Sequence, residues 1–266
     1  MGKPFYVEAH LATPLAFSPR LLPPVSLDTL LMRVLLGPLG ELWPARNGLA
    51  DPGAVGVPLD REVVGGREVL CGSVGFPVGP VKWGFYPWVK RWHGRRPEGV
   101  SQGTGYYRDM CECYYLAVAP KVRFYGRGDV EKVLGILRYV KYLGHKHKRG
   151  NGRVAMWEAA YLRTDHSVWL KLQDMVTPAR VLPASALAEA PPGAVYVRAI
   201  GSPGFPRWDR GGREGVVLPL PVVYQEGLAD GDREAPRLNP SPDYGKAVDG
   251  LEKAMRRWLE KCRVYD

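Results

Sequence analysis

The chain has 266 residues, 45% of them hydrophobic and 11% aromatic, enough to bury a substantial core as one large domain or two small ones. Its net charge of +10 and pI near 9.5 favour a polyanionic partner, either nucleic acid or an anionic membrane surface. Gly 32 and Pro 25 together stay below the level of a disordered chain. No stretch reaches the ~18 consecutive apolar residues of a membrane span, and "MGKPFYVEAHL" has no long apolar run after its lysine, so a cytoplasmic protein without a signal peptide is expected.

Taken in chain order, "FYVEAHLATPLAF" alternates as a half-buried strand. Phe5, Val7, Ala9 and Leu11 fall on one side, and Tyr6, Glu8 and His10 on the other. Ser26 then reads as an N-cap and Asp28 as a first-turn acid, before a helical stripe of Leu27, Leu30, Leu31, Val34 and Leu35 that stops at Gly37-Pro38. Residues 37–105 are rich in Gly, Pro and aromatics and show little sustained periodicity. Within them Trp83, Phe85, Tyr86, Trp88 and Trp92 interleave with Lys82, Lys90, Arg91, Arg95 and Arg96. Rings among cations suit base stacking with phosphate pairing, and equally an aromatic cluster that ties down a long loop.

Residues 106–126 form the longest strand-like piece, interrupted at Pro120. Asp129 next caps a helix whose apolar stripe is Val130, Val133, Leu134, Leu137, Val140 and Leu143, with Gly144 at the left-handed C-cap. "RVAMWEAAYLR" resumes as a strand with Val154, Met156, Glu158, Ala160 and Leu162 on one face, and residues 194–200 supply another. Residues 201–241 read as irregular. Residues 241–265 read as a C-terminal amphipathic helix with Ser241 as cap and Pro242 at its first position.

Between helix and strand lies "YLGHKHKRGNGRV". From Lys121 to Arg153 there are ten Lys/Arg against Asp129 and Glu131, so 10 − 2 = +8 of the chain's +10 is concentrated there. A solvated face usually mixes signs, so this segment is expected to bind an anion. Glycines let backbone N–H groups approach phosphate while cations attract it. The loop follows a helix and lacks both GK[ST] and GxGxxG, which disfavours nucleotide hydrolysis and a dinucleotide fold. An extended phosphodiester suits it better than one small ligand. The residues singled out for RNA are Arg138, Lys141, Gly144, His145, Lys146, His147, Lys148, Arg149, Gly150, Asn151, Gly152 and Arg153, with Trp83, Tyr86, Trp88, Lys90 and Arg91 from the aromatic stretch.

Catalysis has little local support. Cys111 and Cys113 lack zinc spacing and read as small hydrophobes on one strand face. No pair among His10, His93, His145, His147 and His166 has diagnostic spacing, and neither a paired-carboxylate motif nor a G-x-S-x-G elbow occurs. No metal and no cofactor are expected.

Val7-x-Ala9-x-Leu11-x-x-Pro14, "LDTLLMRVLL", "VRFYGRGDVEKVLGILRYVKYLGHKHKRGNGRV", "RVLP" and "GSPGFPRWD" together resemble the type IV CRISPR-associated RAMP proteins. The chain is most similar to their Cas-five-type subunit, which caps the 5′ handle of the guide RNA. The resemblance covers the helix at 26–36 and most of residues 115–183. It implies a single domain over 1–266 of α+β class, a modified ferredoxin-like or RRM-like sandwich, with 37–105 as an insertion that includes a thumb-like hairpin near 73–104. It also implies an RNA-contacting loop of Gly144, Lys146, Lys148, Arg149, Gly150, Gly152 and Arg153. The partners it implies are guide RNA, a repeated backbone subunit, a large subunit and, through the complex, target DNA, in a prokaryotic antiviral assembly that involves no membrane. The alternative within the same superfamily is a guide-processing endoribonuclease using His145 or His147 as general acid/base.

Overall fold

The computed structural model describes residues 2–17, 25–36, 56–80, 82–90, 110–144, 150–171, 176–201 and 214–219. They form a mixed α+β fold of antiparallel sheets with two α-helices among the described residues. The expected C-terminal helix at 241–265 lies outside them.

The central sheet has four strands, β1 (Lys3–Leu11), β5 (Phe76–Val78), β8 (Lys121–Gly128) and β9 (Val154–Tyr161), in the order β5-β8-β1-β9. All three pairings are antiparallel. Strand alternation sorts β1 as its sequence predicts: Phe5, Val7 and Ala9 are fully buried in the main core. Helices α1 (Leu27–Leu36) and α2 (Val130–Leu137) cover that face. They bring Leu27, Leu30, Leu31, Val130, Val133 and Leu137 against Val122 and Phe124 of β8. Each fully buried Phe, Leu or Val here stabilises the fold by about 1.5–3 kcal/mol before entropy is counted. In α1 the expected stripe is rotated: Met32 is buried and Leu35 is 42% exposed.

The opposite face of the sheet is also covered at one end. Phe76, Val78 and Tyr125 pack with Val74, Leu170 and Ala179. The covering layer includes the pair β10 (Trp169–Lys171) and β11 (Val176–Pro178). A third cluster joins the hairpin of β3 (Arg61–Val64) and β4 (Arg67–Leu70) to a three-stranded sheet of β12 (Leu182–Pro183), β14 (Glu214–Leu218) and β13 (Val197–Gly201). Strand β14 falls in the stretch expected to be irregular. Three apolar residues, Val216 to Leu218, suffice because partners on both sides satisfy its backbone. The β3–β4 turn is Gly65-Gly66 with φ of 57° and 77°, the positive values a two-residue hairpin turn requires.

Pro120 does interrupt the long strand-like run, and the two halves enter different sheets. β8 lies in the central sheet, while β7 (Met110–Val118) is the middle strand of a ribbon with β6 (Lys82–Lys90) and β2 (Leu15–Phe17). β6 and β7 pair along their whole length, from Lys82 opposite Val118 to Lys90 opposite Met110. Part of the segment expected as an insertion belongs to the core: Leu59 and Leu70 join the main cluster, and β5 is an edge strand of the central sheet.

Candidate nucleic-acid interface

The glycine-rich loop opens differently from the sequence expectation. α2 ends at Leu137 with Arg138 as its C-cap, six residues before Gly144. Tyr139, β-branched Val140 and Tyr142 lower helix propensity beyond that point, and the chain turns. The Tyr139 and Val140 N–H groups donate to Ile136 and Leu137 in tighter, 3₁₀-like bonds. Asp129 does cap the start, accepting the Lys132 N–H at 3.1 Å, and this bond with the Lys132 ammonium holds its carboxyl below the usual range.

The base of the loop is a short antiparallel crossing. Tyr142 bridges Arg153, the Leu143 N–H donates to the Gly152 carbonyl at 2.8 Å, and the Val154 N–H donates to the Lys141 carbonyl at 2.9 Å. Gly144 has φ 73°, so the left-handed position was read correctly, but it starts a loop rather than ending a helix. Gly152 has φ 68°, and a Cβ there would run into the Leu143 carbonyl oxygen. The turn after β1 clamps this crossing from the side. The Gly152 N–H donates to Pro14 at 2.7 Å and the Ala12 N–H to Arg153 at 2.8 Å. The Thr13 hydroxyl donates to the Gly150 carbonyl at 2.6 Å and accepts the Arg153 N–H at 2.8 Å. Thr13 was missed from sequence because nothing local announces a partner more than a hundred residues away. His145, Lys146, His147, Lys148 and Arg149 lie outside the described residues.

The +8 segment divides in two. Lys121 Nζ and Arg123 Nη2 each lie 2.7 Å from the Glu8 carboxylate. Arg127 reaches Asp60 at 3.3 Å, Glu62 at 2.8 Å and Asp165 at 2.6 Å, and Lys132 reaches Asp129 at 3.0 Å. Most of these carboxylates are remote in sequence, so a local count overstates the free charge. Arg138, Lys141 and Arg153 are exposed and have no carboxylate partner among the described residues. Beside them Tyr139 is 74% exposed and Tyr142 41% exposed. These two tyrosines were not singled out from sequence. They follow from the early end of α2, which turns what read as helix flanks into a surface corner.

The aromatic stretch is carried by β6. Trp83 stands opposite Ala117, Tyr86 opposite Tyr114, Trp88 opposite Glu112 and Lys90 opposite Met110, while Arg91 lies outside the described residues. The root of the ribbon and the loop meet through β2, whose Leu15 pairs with Ala117, and a Cβ on Gly144 would touch the Ala16 carbonyl. The structure therefore gathers Arg138, Lys141, Gly144, Gly150, Asn151, Gly152 and Arg153 at one corner, with Trp83 near it and Trp88 and Lys90 further along.

A separate polar group occupies the sheet face away from the helices. His10 Nε2 lies 2.8 Å from Glu158 and 3.8 Å from Glu8, and the three donor atoms fall within 4.8 Å of one another. Lys121 and Arg123 already occupy the Glu8 oxygens, and the Arg123 guanidinium also stacks 4.3 Å from the Tyr6 ring. Burial alone would raise the Glu8 carboxyl, but the two cations outweigh it and hold it low. The cluster is a neutralised ion-pair network. Elsewhere, burial pushes the Cys71 thiol up to about 11 against the pull of Arg127. Burial likewise lowers His166, which packs edge-on against Tyr125 at 5.3 Å.

No helix among the described residues is long and apolar enough to cross a membrane. No protein-family model matches the chain, and no curated protein matches it.

Proposed function

We propose that this chain is a non-catalytic RNA-binding subunit of a type IV CRISPR ribonucleoprotein effector, holding the 5′ handle of a guide RNA on its glycine-rich loop. One observation carries the reading: Arg138, Lys141 and Arg153, exposed and without a carboxylate partner among the described residues, converge with Tyr139 and Tyr142 on a loop base clamped by residues 12–14. Fixed backbone, exposed cations and exposed aromatic side chains are what a single-stranded phosphodiester needs. Two features of the fold support the family reading. The chain order β1, α1, β5, β8, α2, β9, with β1 and β8 central, supports a ferredoxin-like, RRM-like sandwich. The β6–β7 ribbon supports a thumb-like role for the aromatic stretch, with the subunit docking beside a repeated backbone subunit and a large subunit, and meeting target DNA through the complex.

The test is purification of the tagged protein from its native host, with ultraviolet cross-linking of whatever RNA accompanies it. The reading expects guide RNA cross-linked through its 5′ handle together with sister subunits. A protein recovered alone, or with unrelated RNA, overturns it. Incubation with repeat RNA in chelator provides the second arm: site-specific cleavage that disappears in His145→Ala or His147→Ala replaces the binding role with the endoribonuclease one.

A further inference from the structure

Next to the loop base lies a pocket of about 280 Å³ between the end of α2 and β9. Leu134, Val140, Val154 and Trp157 contribute apolar side chains to it, Arg138 and Lys141 stand among its lining residues, and its accessible wall is more polar than apolar. None of the residues lining it is acidic. A register shift lies within its lining: β1 pairs His10 with Met156 and then Leu11 with Val154, so Ala155 is an extra, bulged residue of β9. Trp157 is set in place without a ligand. Its indole N–H donates to the Val140 carbonyl at 3.3 Å, and its ring lies 6.1 Å from that of Phe124.

We propose that this pocket takes one unstacked nucleobase of a single-stranded RNA, with the adjoining phosphate on Arg138 and Lys141; the proposal rests on the RNA-binding reading above. The volume falls just under the roughly 300–1,000 Å³ of sites for drug-sized ligands, which leaves room for one planar ring system and not for an extended molecule. A tryptophan and aliphatic side chains set in a largely polar wall, with cations alongside, complement a group with a flat ring face, polar ring edges and an anionic neighbour. The pocket also continues directly from the loop, because Val154 lines it while its N–H is bonded to Lys141 at the loop base. A strand following the loop passes the mouth, which favours a base within RNA over a free nucleotide.

The test combines an abasic scan with a filled pocket. A labelled single-stranded repeat RNA is prepared with one base removed at each position in turn, and binding is measured to the wild-type protein and to Ala155→Phe. Ala155 is exposed, so the added ring fills the pocket from the solvent side without entering the core; Met156→Glu, at another exposed lining residue, is the second variant. The expected result is one position whose base removal weakens wild-type binding about tenfold. Ala155→Phe weakens the intact RNA by a similar factor and no longer senses that position. A flat scan, or Ala155→Phe and Met156→Glu that both bind intact RNA as the wild type does, overturns the pocket. Saturation by AMP or UMP alone as tightly as by RNA also overturns it, by making it a free-nucleotide site. The Lys146/Lys148/Arg149→Ala variant separates the two readings: if it binds weakly while the scan is flat, the loop grip stands and the pocket falls.

Discussion

Arg123 and Arg127 lie on the same cationic stretch as Arg138, Lys141 and Arg153, yet the two groups do opposite work. The first pair is largely buried and held by Glu8, Asp60, Glu62 and Asp165. The second group is exposed and has no carboxylate partner among the described residues. Pairing, rather than sign, separates cations that hold the sheet from cations available to a phosphate chain. Glu8 shows the principle most clearly: it is 2% exposed and accepts both Lys121 and Arg123, so one buried carboxylate ties down two cations and offsets half of the positive charge that the sequence counts there.

Substitution should break this division in a definite order. The largest effect is expected where a buried charge loses its partner. Arg180 and Asp28 are both 0% exposed and paired at 3.0 Å, so Arg180→Met should cost about 3–5 kcal/mol in urea denaturation. Adding Asp28→Asn should recover much of that loss; no recovery would mean the pair is more than a matched charge. Next comes Gly152→Ala, which places a Cβ against the Leu143 carbonyl at positive φ. It should destabilise by about 1–3 kcal/mol and loosen the loop base, read as faster amide exchange at Leu143.

A pH series sharpens the buried side. The folded Glu8 carboxyl sits below its ordinary value of 4.5, so its ion pairs contribute fully above that pH and are lost as pH falls through the folded value. The wild type should therefore lose stability more steeply below pH 4.5 than Glu8→Gln does; parallel curves would remove Glu8 from the account. The smallest effect on stability is expected on the exposed side. Arg138→Ala/Lys141→Ala should stay within about 0.5 kcal/mol of wild type while weakening RNA binding. A stability loss comparable to that of Arg180→Met would erase the distinction.

Much of the framework was legible because it rests on local patterns. Alternation in β1, the Asp129 cap and the punctuation at Pro120 all follow from neighbouring residues. What escaped depends on distance or context. α2 ends early because Tyr139, β-branched Val140 and Tyr142 lower helix propensity, while the stripe's last members still reach the core, Val140 from the turn and Leu143 from the loop crossing. The β3–β4 hairpin carried a usable signal in "VVGGRE", hidden by the Gly/Pro-rich texture around it. For the site, the glycines and free cations were readable as types. The Thr13 clamp, the Ala155 bulge and the carboxylates that neutralise Arg123 and Arg127 are long-range pairings, which no local window contains.

The salt dependence of RNA binding tests the central claim most directly. Binding of a labelled single-stranded repeat RNA is measured from about 50 to 300 mM salt for wild type and for Lys146/Lys148/Arg149→Ala. Three phosphate contacts at about 0.7 each predict that the log–log slope becomes shallower by roughly 2, with weaker affinity and an unchanged fold. Unchanged affinity and an unchanged slope would contradict the account.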